Sequence, residues 1–152
     1  MCTLTIYRGG VIMAINGILV TNITQNDTKY QAQHDEFINK AKLIPGLTLT
    51  EVKNQHTIEY LHHHQIDFIL FWDKDIYLAR KLSNIGYKVF NNPDAIYLCD
   101  DKALTANALE TASVPTPEYY VLPFAFHQNI MNFYDEYKHE LYKLGFPLVM
   151  KE

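Results

Sequence analysis

The sequence predicts an α/β protein in which a three-layer α/β/α domain with a mostly parallel sheet is followed by the first part of an α+β domain. Apolar runs of strand length alternate with segments of helical periodicity, which is typical of a parallel sheet with helices on both faces. The run at 67–72 is the most apolar in the chain and suits a central strand. After residue 98 a connecting helix and a proline-rich stretch replace this alternation. We therefore predict domains at 1–98 and 99–152.

Composition and charge limit the classes of function. With 48% hydrophobic and 20% charged residues, the chain has the profile of a packed globular protein. The net charge of −4 and the lack of a basic cluster argue against nucleic acid or a membrane surface as partner. The two cysteines are isolated, and the chain has neither a signal peptide nor a membrane-spanning run, so we expect a cytoplasmic protein.

The first strand is predicted at 11–15, an apolar run that ends at Asn16 and Gly17. Residues 18–20 either extend this strand or begin the next turn. A narrow apolar stripe predicts a helix over 29–42.

Residues 47–52 alternate apolar and polar side chains, which predicts a half-buried edge strand.

A second helix is expected to end near His64. The histidines at 62–64 suggest a metal site, but consecutive helical residues point about 100° apart and do not converge on one ion. We therefore predict a solvated helix end and no metal site.

The remaining elements follow the same alternation. We predict a strand over 67–72, a helix over 76–85, a strand over 87–90, a short helix over 93–98, a helix over 101–112, a strand over 119–122, a helix over 130–144 and a strand over 146–151. The last strand, helix and strand are little material for a self-sufficient core. We therefore expect the chain to be part of a longer protein.

Three polar residues follow predicted strands of the first domain, namely Asn16, Asp73 and Asn91. The carboxyl ends of parallel strands meet at one edge of a sheet, where open α/β folds bind ligands. The pattern predicts that these side chains line one substrate crevice, although each residue type also serves in caps and turns.

Lys102 lies at the head of the predicted connecting helix, directly after two aspartates. A cation in the first turn opposes the helix macrodipole. Because backbone N–H groups gather an anion at this position, the lysine suits a phosphate. The alternative is a solvated surface lysine paired with Asp100 or Asp101.

Five motifs in order then point to a known family. They are Asp67-Phe-Ile-Leu-Phe-Trp-Asp73-Lys-Asp75, Asn91-Asn92-Pro-Asp-Ala-Ile, Asp100-Asp101-Lys102-Ala-Leu-Thr105, Val114-Pro115-Thr116-Pro117 and Gly145-Phe146-Pro147-Leu148-Val149-Met150-Lys151. The series resembles the front part of ATP-grasp carboxylate–amine ligases, closest to the RimK-type glutamate ligases. In that family a Rossmann-like pre-ATP-grasp domain precedes the ATP-grasp domain.

The resemblance implies a function and two binding residues. Family members use Mg·ATP to activate a carboxylate as an acyl-phosphate, which an amine then captures. Lys102 and Lys151 match family lysines that contact the nucleotide phosphates, although Lys151 also suits an ordinary edge strand. The glycine-rich loop and the magnesium ligands of the family would lie beyond Glu152. We therefore expect no catalytic or metal-binding residue in these 152 residues, and no activity from them alone.

Two interpretations follow. The first is the N-terminal portion of an ATP-dependent ligase whose partners are ATP and a carboxylate and amine pair. The second is a non-catalytic, flavodoxin-like binding or interaction module. The sequence identifies neither the substrates nor the oligomeric state.

Overall fold

The structure, a computed structural model, describes residues 4–7, 10–123 and 130–150. The chain divides into two compact units, Met1–Tyr97 and Leu98–Glu152, and each is described by itself. No helix within the described ranges is long and apolar enough to cross a membrane.

Within the described ranges, six strands form two sheets. In chain order they are β1 (Leu4–Tyr7), β2 (Gly10–Met13), β3 (Ile15–Thr21), β4 (Leu47–Lys53), β5 (Phe68–Trp72) and β6 (Val89–Phe90). The first two form an antiparallel hairpin. The others form a parallel sheet in the order β4-β3-β5-β6. This arrangement confirms the predicted parallel sheet, the interior position of β5 and the edge position of β4.

Six α-helices accompany the strands in the described residues. They are α1 (Thr28–Lys42), α2 (Thr57–His63), α3 (Ile76–Asn84), α4 (Pro93–Asp100), α5 (Lys102–Thr111) and α6 (Ile130–Leu144). Each helix bound that the sequence predicted lies within two residues of the observed one, whereas no start had been predicted for α2. Side-chain caps fix several starts, because Asp27, Asp75 and Asp101 each accept a backbone N–H from the first turn of the following helix.

One face of the parallel sheet is covered by α2, α3 and α4, and we call it the closed face. Its side chains alternate with those of the opposite face along each strand. With the helices they form one buried apolar cluster of Ile18, Val20, Val52, Leu61, Ile69, Phe71, Ala79, Leu82 and Ile96.

The opposite face carries α1, and we call it the α1 face. Leu19 of β3 is fully buried there. The ring of Phe37 on α1 lies 4.9 Å, centroid to centroid, from that of Trp72 at the end of β5. Helices therefore cover both faces of the sheet, and the three-layer Rossmann-like fold of this domain is confirmed.

The first strand of this sheet differs from the prediction. Residues 11–13 belong to the β1–β2 hairpin, whereas the sheet strand β3 runs from Ile15 to Thr21. Ile18 lies at the fully buried centre of β3. The assignment of 11–15 as the first parallel strand was therefore wrong.

Gly17 explains the error. The Asn16-Gly17 pair is typical of a turn, yet Gly17 is the register partner of Phe68 in the middle of the sheet. A Cβ atom at this position would lie 2.3 Å from the Phe68 ring. Glycine is therefore required because an aromatic ring occupies the space of its side chain, and not because the chain turns.

The second unit contains α5 and α6, and both were predicted. Gly145, which follows α6, has a φ of 78°, as a helix-terminating glycine does. Residues 119–122 and 146–150 form no strand, so those two predictions were wrong. A strand gains its backbone hydrogen bonds from a neighbour, and no strand in the described part of this unit pairs with either segment.

Candidate functional site

Three polar residues meet at the carboxyl edge of the parallel sheet. Asn22 follows β3, Asn54 follows β4 and Asp73 follows β5, and we call them the carboxyl-edge cluster. The side-chain nitrogen of Asn22 donates to both carboxylate oxygens of Asp73, at 3.1 and 3.2 Å. That of Asn54 donates to Oδ2 at 3.1 Å. The cluster lies where open α/β sheets bind ligands.

The Asp73 carboxylate is already saturated. Besides the asparagine nitrogens, the backbone N–H of Lys74 donates to Oδ1 at 2.6 Å. An ionised carboxylate offers about four lone-pair sites, and these hydrogen bonds use that capacity. Asp73 therefore acts as a junction between loops, and a ligand would reach it only by displacing an asparagine.

The asparagine oxygens extend the same network into the loops. Oδ1 of Asn22 accepts the backbone N–H of Thr24 at 2.8 Å and its hydroxyl at 2.6 Å. Oδ1 of Asn54 accepts the backbone N–H of Gln55 at 2.9 Å and that of Ile23 at 3.4 Å. The cluster thus fixes the loops that follow three neighbouring strands.

Asn91 lies at the predicted edge, directly after β6. Its side-chain nitrogen donates to the backbone oxygen of Phe71 at 3.2 Å. This bond ties the end of β6 to β5. A role for Asp73 and Asn91 in substrate binding stays a prediction.

Asn16 does not lie at this edge. It is near the amino end of β3, where its backbone N–H donates to the Asp67 carboxylate at 2.7 Å and its backbone oxygen accepts from Asp67 at 2.8 Å. The placement of Asn16 in the crevice was therefore wrong. Because β3 runs on to Thr21, the residue that follows this strand is Asn22.

Sequence reasoning missed Asn22 and Asn54. A signal existed for each, because Asn22 stands one residue after an apolar run and Asn54 one residue after an alternating run. Had residues 18–20 been read as the strand itself, Asn22 would have been the polar residue near its end. The bond between Asn22 and Asp73 spans 51 positions in the chain, so local patterns do not reveal it.

A second polar group lies beneath the cluster on the α1 face. Oε1 of Glu51 accepts the Thr21 hydroxyl at 2.7 Å and the Lys53 ammonium at 2.6 Å. The same ammonium donates to the Thr21 hydroxyl at 3.0 Å. Nδ1 of the fully buried His34 lies 3.1 Å from Oε1, within ion-pair distance. The angle does not make this contact a hydrogen bond, and neither ring nitrogen has a hydrogen-bond partner among the described residues.

The environment of Glu51 changes its pKa. Burial acts to raise the pKa, but hydrogen bonds from Lys53 and Thr21 and the positive charge of Lys53 outweigh burial, so the pKa lies below the ordinary value of 4.5. Glu51 is therefore held as a carboxylate.

Lys102 is engaged within the protein. Its ammonium donates to the backbone oxygens of Cys99 and Asp100, at 2.9 and 3.1 Å, at the carboxyl end of α4. The first free N–H groups of α5 bind the Asp101 carboxylate, at 2.8 Å from Ala103 and 3.0 Å from Leu104. The anion position that the sequence predicted is thus occupied by Asp101. Lys151 lies outside the described residues.

A shallow groove of about 600 Å³ runs beside α1 on the α1 face. Its floor is mainly apolar, and its lining comprises Ala32, Gln33, Glu36, Phe37, Lys40 and Trp72. Within the described ranges, no group of three or more His, Cys, Asp or Glu side chains is placed to hold a metal ion.

Comparison with known proteins adds one informative match. No protein-family model matches the chain. Over 79 residues it is 34% identical to beta-citrylglutamate synthase B from Danio rerio, a RimK-like ATP-grasp ligase. This stretch is 52% of the chain but 18% of that relative, so the chain spans a small part of the relative's length. The match confirms the resemblance to ATP-grasp ligases that the motifs predicted.

A solved structure is also similar. N5-carboxyaminoimidazole ribonucleotide synthetase from Thermotoga maritima covers 82% of this chain, which corresponds to 36% of that protein, with 15% identity and a TM-score of 0.48. At this level of likeness, we assign the fold from the strand order described above.

Proposed function

We propose that this chain is the N-terminal portion of an ATP-dependent carboxylate–amine ligase of RimK-like type. The observation that carries the proposal is the 34% identity over 79 residues to a RimK-like ligase. In the intact protein, Mg·ATP would activate a carboxylate as an acyl-phosphate, and an amine would capture the acyl group. A cytoplasmic location for this reaction is part of the proposal, and the two isolated cysteines fit a reducing compartment.

Within that reaction the chain would supply part of the nucleotide site and one wall of the substrate cleft. Lys102 and Lys151 are the candidate phosphate ligands, and Asp73 and Asn91 are candidates for the cleft. In the structure described above, the Lys102 ammonium binds two backbone oxygens. Contact with a phosphate would therefore require the side chain to leave them.

Binding arithmetic predicts that these 152 residues alone hold ATP weakly or not at all. Each exposed pairing of a lysine with a phosphate contributes about 1 kcal/mol or less under screening by water and salt. Millimolar affinity requires about 4 kcal/mol. The rest would have to come from a glycine-rich loop, an adenine pocket and bound magnesium outside the chain.

Calorimetric titration with Mg·ATP tests the proposal. We expect the 152-residue chain to bind no more tightly than millimolar and the protein from its complete reading frame to bind in the micromolar range. Lys102→Ala in the complete protein should weaken binding by up to about fivefold. Lys42→Ala is the matched control, because this lysine lies at the exposed end of α1 and bonds only to Asn39 among the contacts seen.

Each outcome bears on a different part of the proposal. Micromolar binding by the short chain would place the nucleotide site elsewhere. Equal affinities for the Lys102 and Lys42 variants would remove Lys102 from the site. If the complete protein binds no ATP, the ligase proposal fails.

The contrasting function is a non-catalytic, flavodoxin-like binding or interaction module. Two observations favour it, namely the saturated Asp73 carboxylate and the engaged Lys102 ammonium. A reading frame that continues into a glycine-rich loop and a set of acidic and asparagine magnesium ligands supports the ligase. A reading frame without them supports the module.

A further inference from the structure

Glu51 connects the ends of two neighbouring strands through one oxygen atom. Thr21 and Lys53 are register partners in the last positions of β3 and β4. Both donate to Oε1 of Glu51, at 2.7 and 2.6 Å. The next residue after each is Asn22 or Asn54, whose side-chain nitrogens bind Asp73 in the carboxyl-edge cluster.

This arrangement adds a side-chain link to the backbone pairing of the two strand ends. The Glu51 side chain is only 24% exposed, so few water molecules compete for the carboxylate. Burying a carboxylate is costly unless it is paired and hydrogen-bonded. The hydroxyl of Thr21 and the ammonium of Lys53 are bonded to each other as well, which closes a triangle of three hydrogen bonds.

We infer that Glu51 is a positioning residue for the carboxyl-edge cluster. Its hydrogen bonds in the described part of the chain go to Thr21 and Lys53, the residues that precede the two asparagines. Nδ1 of His34 lies 3.1 Å from the same oxygen on the α1 side. The inference deepens the proposed function, and it depends on that function only for what the cluster binds.

A simpler role for Glu51 is local. In that case, the contacts of Thr21 and Lys53 satisfy a partly buried carboxylate and nothing more. Removing Glu51 would then lower the stability of the domain without changing the loops. The two roles differ in what happens to the backbone N–H groups that bind the asparagine oxygens, those of Ile23, Thr24 and Gln55.

Amide hydrogen exchange measured by NMR on the ligand-free chain separates these roles. In Glu51→Ala, exchange at Thr24 and Gln55 should be faster by about fivefold, because the asparagines that protect these groups lose their fixed position. Glu51→Gln retains a side-chain oxygen acceptor and should restore most of the protection. The matched control is Val52→Ala, which shortens the neighbouring β4 side chain in the apolar cluster of the closed face.

The outcomes are distinct. Faster exchange in Glu51→Ala with normal loop exchange in an equally destabilised Val52→Ala supports the positioning role. Unchanged exchange at Thr24 and Gln55 in a folded Glu51→Ala overturns it. Equal acceleration in the two variants also overturns it, because general loosening then explains the effect.

A second measurement concerns the complete protein. If the cluster lines the substrate cleft, Glu51→Ala should raise the KM for a substrate about fivefold or more with a smaller change in kcat, whereas Val52→Ala should leave KM unchanged. The exchange experiment uses no nucleotide or substrate. If the complete protein fails to bind Mg·ATP, the ligase proposal is rejected but the positioning role of Glu51 is not. If exchange is unchanged in Glu51→Ala, the positioning role is rejected but the ligase proposal is not.

Discussion

The two faces of the parallel sheet differ in the polarity of their buried side chains. The closed face is wholly apolar at its centre, where Ile69 and Phe71 have no exposed surface. The α1 face carries a buried histidine, a carboxylate and a lysine. On the same face, Phe90 of β6 stays 55% exposed. The difference teaches that stability is concentrated on one face, whereas polar groups that suit function are gathered on the other and at the carboxyl edge.

The largest effect should come from the closed face. Phe71→Ala removes a fully buried ring and should lower the free energy of unfolding by about 3–5 kcal/mol. Phe90→Ala, the matched change of a half-exposed ring, should cost about 1 kcal/mol or less. Urea denaturation measures both values, and similar losses would show that the two faces contribute equally.

A smaller effect is expected where β3 and β5 approach each other. Gly17→Ala places a methyl group against the Phe68 ring and should destabilise the domain by about 1–3 kcal/mol. Phe68→Leu in the same chain should relieve part of this cost, because the ring that blocks the methyl group is gone. A double-mutant cycle in urea measures the coupling, and strictly additive losses would contradict the proposed clash.

The polar part of the α1 face should appear in the pH dependence of stability. The pKa of Glu51 is lowered in the folded chain, so its contribution is present above the ordinary value of 4.5 and is lost as the pH falls through the folded pKa. Unfolding free energies from pH 7 downwards should therefore decrease more for the wild type than for Glu51→Gln. Parallel curves for the two proteins would mean that Glu51 is not held by its partners.

The smallest effect concerns the groove. Trp72 is the only tryptophan of the chain, and its ring contacts Phe37. Phe37→Ala should shift the fluorescence of Trp72 to longer wavelength and increase its quenching by acrylamide. The accompanying loss of stability should be smaller than for Phe71→Ala, because Phe37 is only half-buried. Unchanged emission would mean that the rings of Phe37 and Trp72 are not in contact in solution.

Much of this fold is predictable from the sequence because it depends on local patterns. The helical period of α1 and α3 and the alternation of β4 each lie within one short window. The β3 strand was misplaced because Gly17 is explained by Phe68, which is 51 positions away. Residues 119–122 have strand-like composition, but composition does not supply the neighbouring strand that they need.

The candidate site was less predictable for the same reason. Asp73 was found because it follows an unmistakable strand. Its partners Asn22 and Asn54 follow two other strands, so no local pattern shows that they bind Asp73. The engagement of Lys102 likewise depends on the position of the α4 carbonyl groups, which the sequence alone does not fix.

The junction between α4 and α5 shows that the order of two charged residues matters. The Asp101 carboxylate binds the N–H groups at the positive end of α5, and the Lys102 ammonium binds the carbonyl groups at the negative end of α4. The two adjacent residues therefore interact with the dipoles of different helices. Exchanging the two would leave composition, net charge and isoelectric point the same. It would nevertheless set an ammonium against free N–H groups and a carboxylate against free carbonyls. The contacts at this junction therefore depend on the order of the two residues, which composition and net charge do not show.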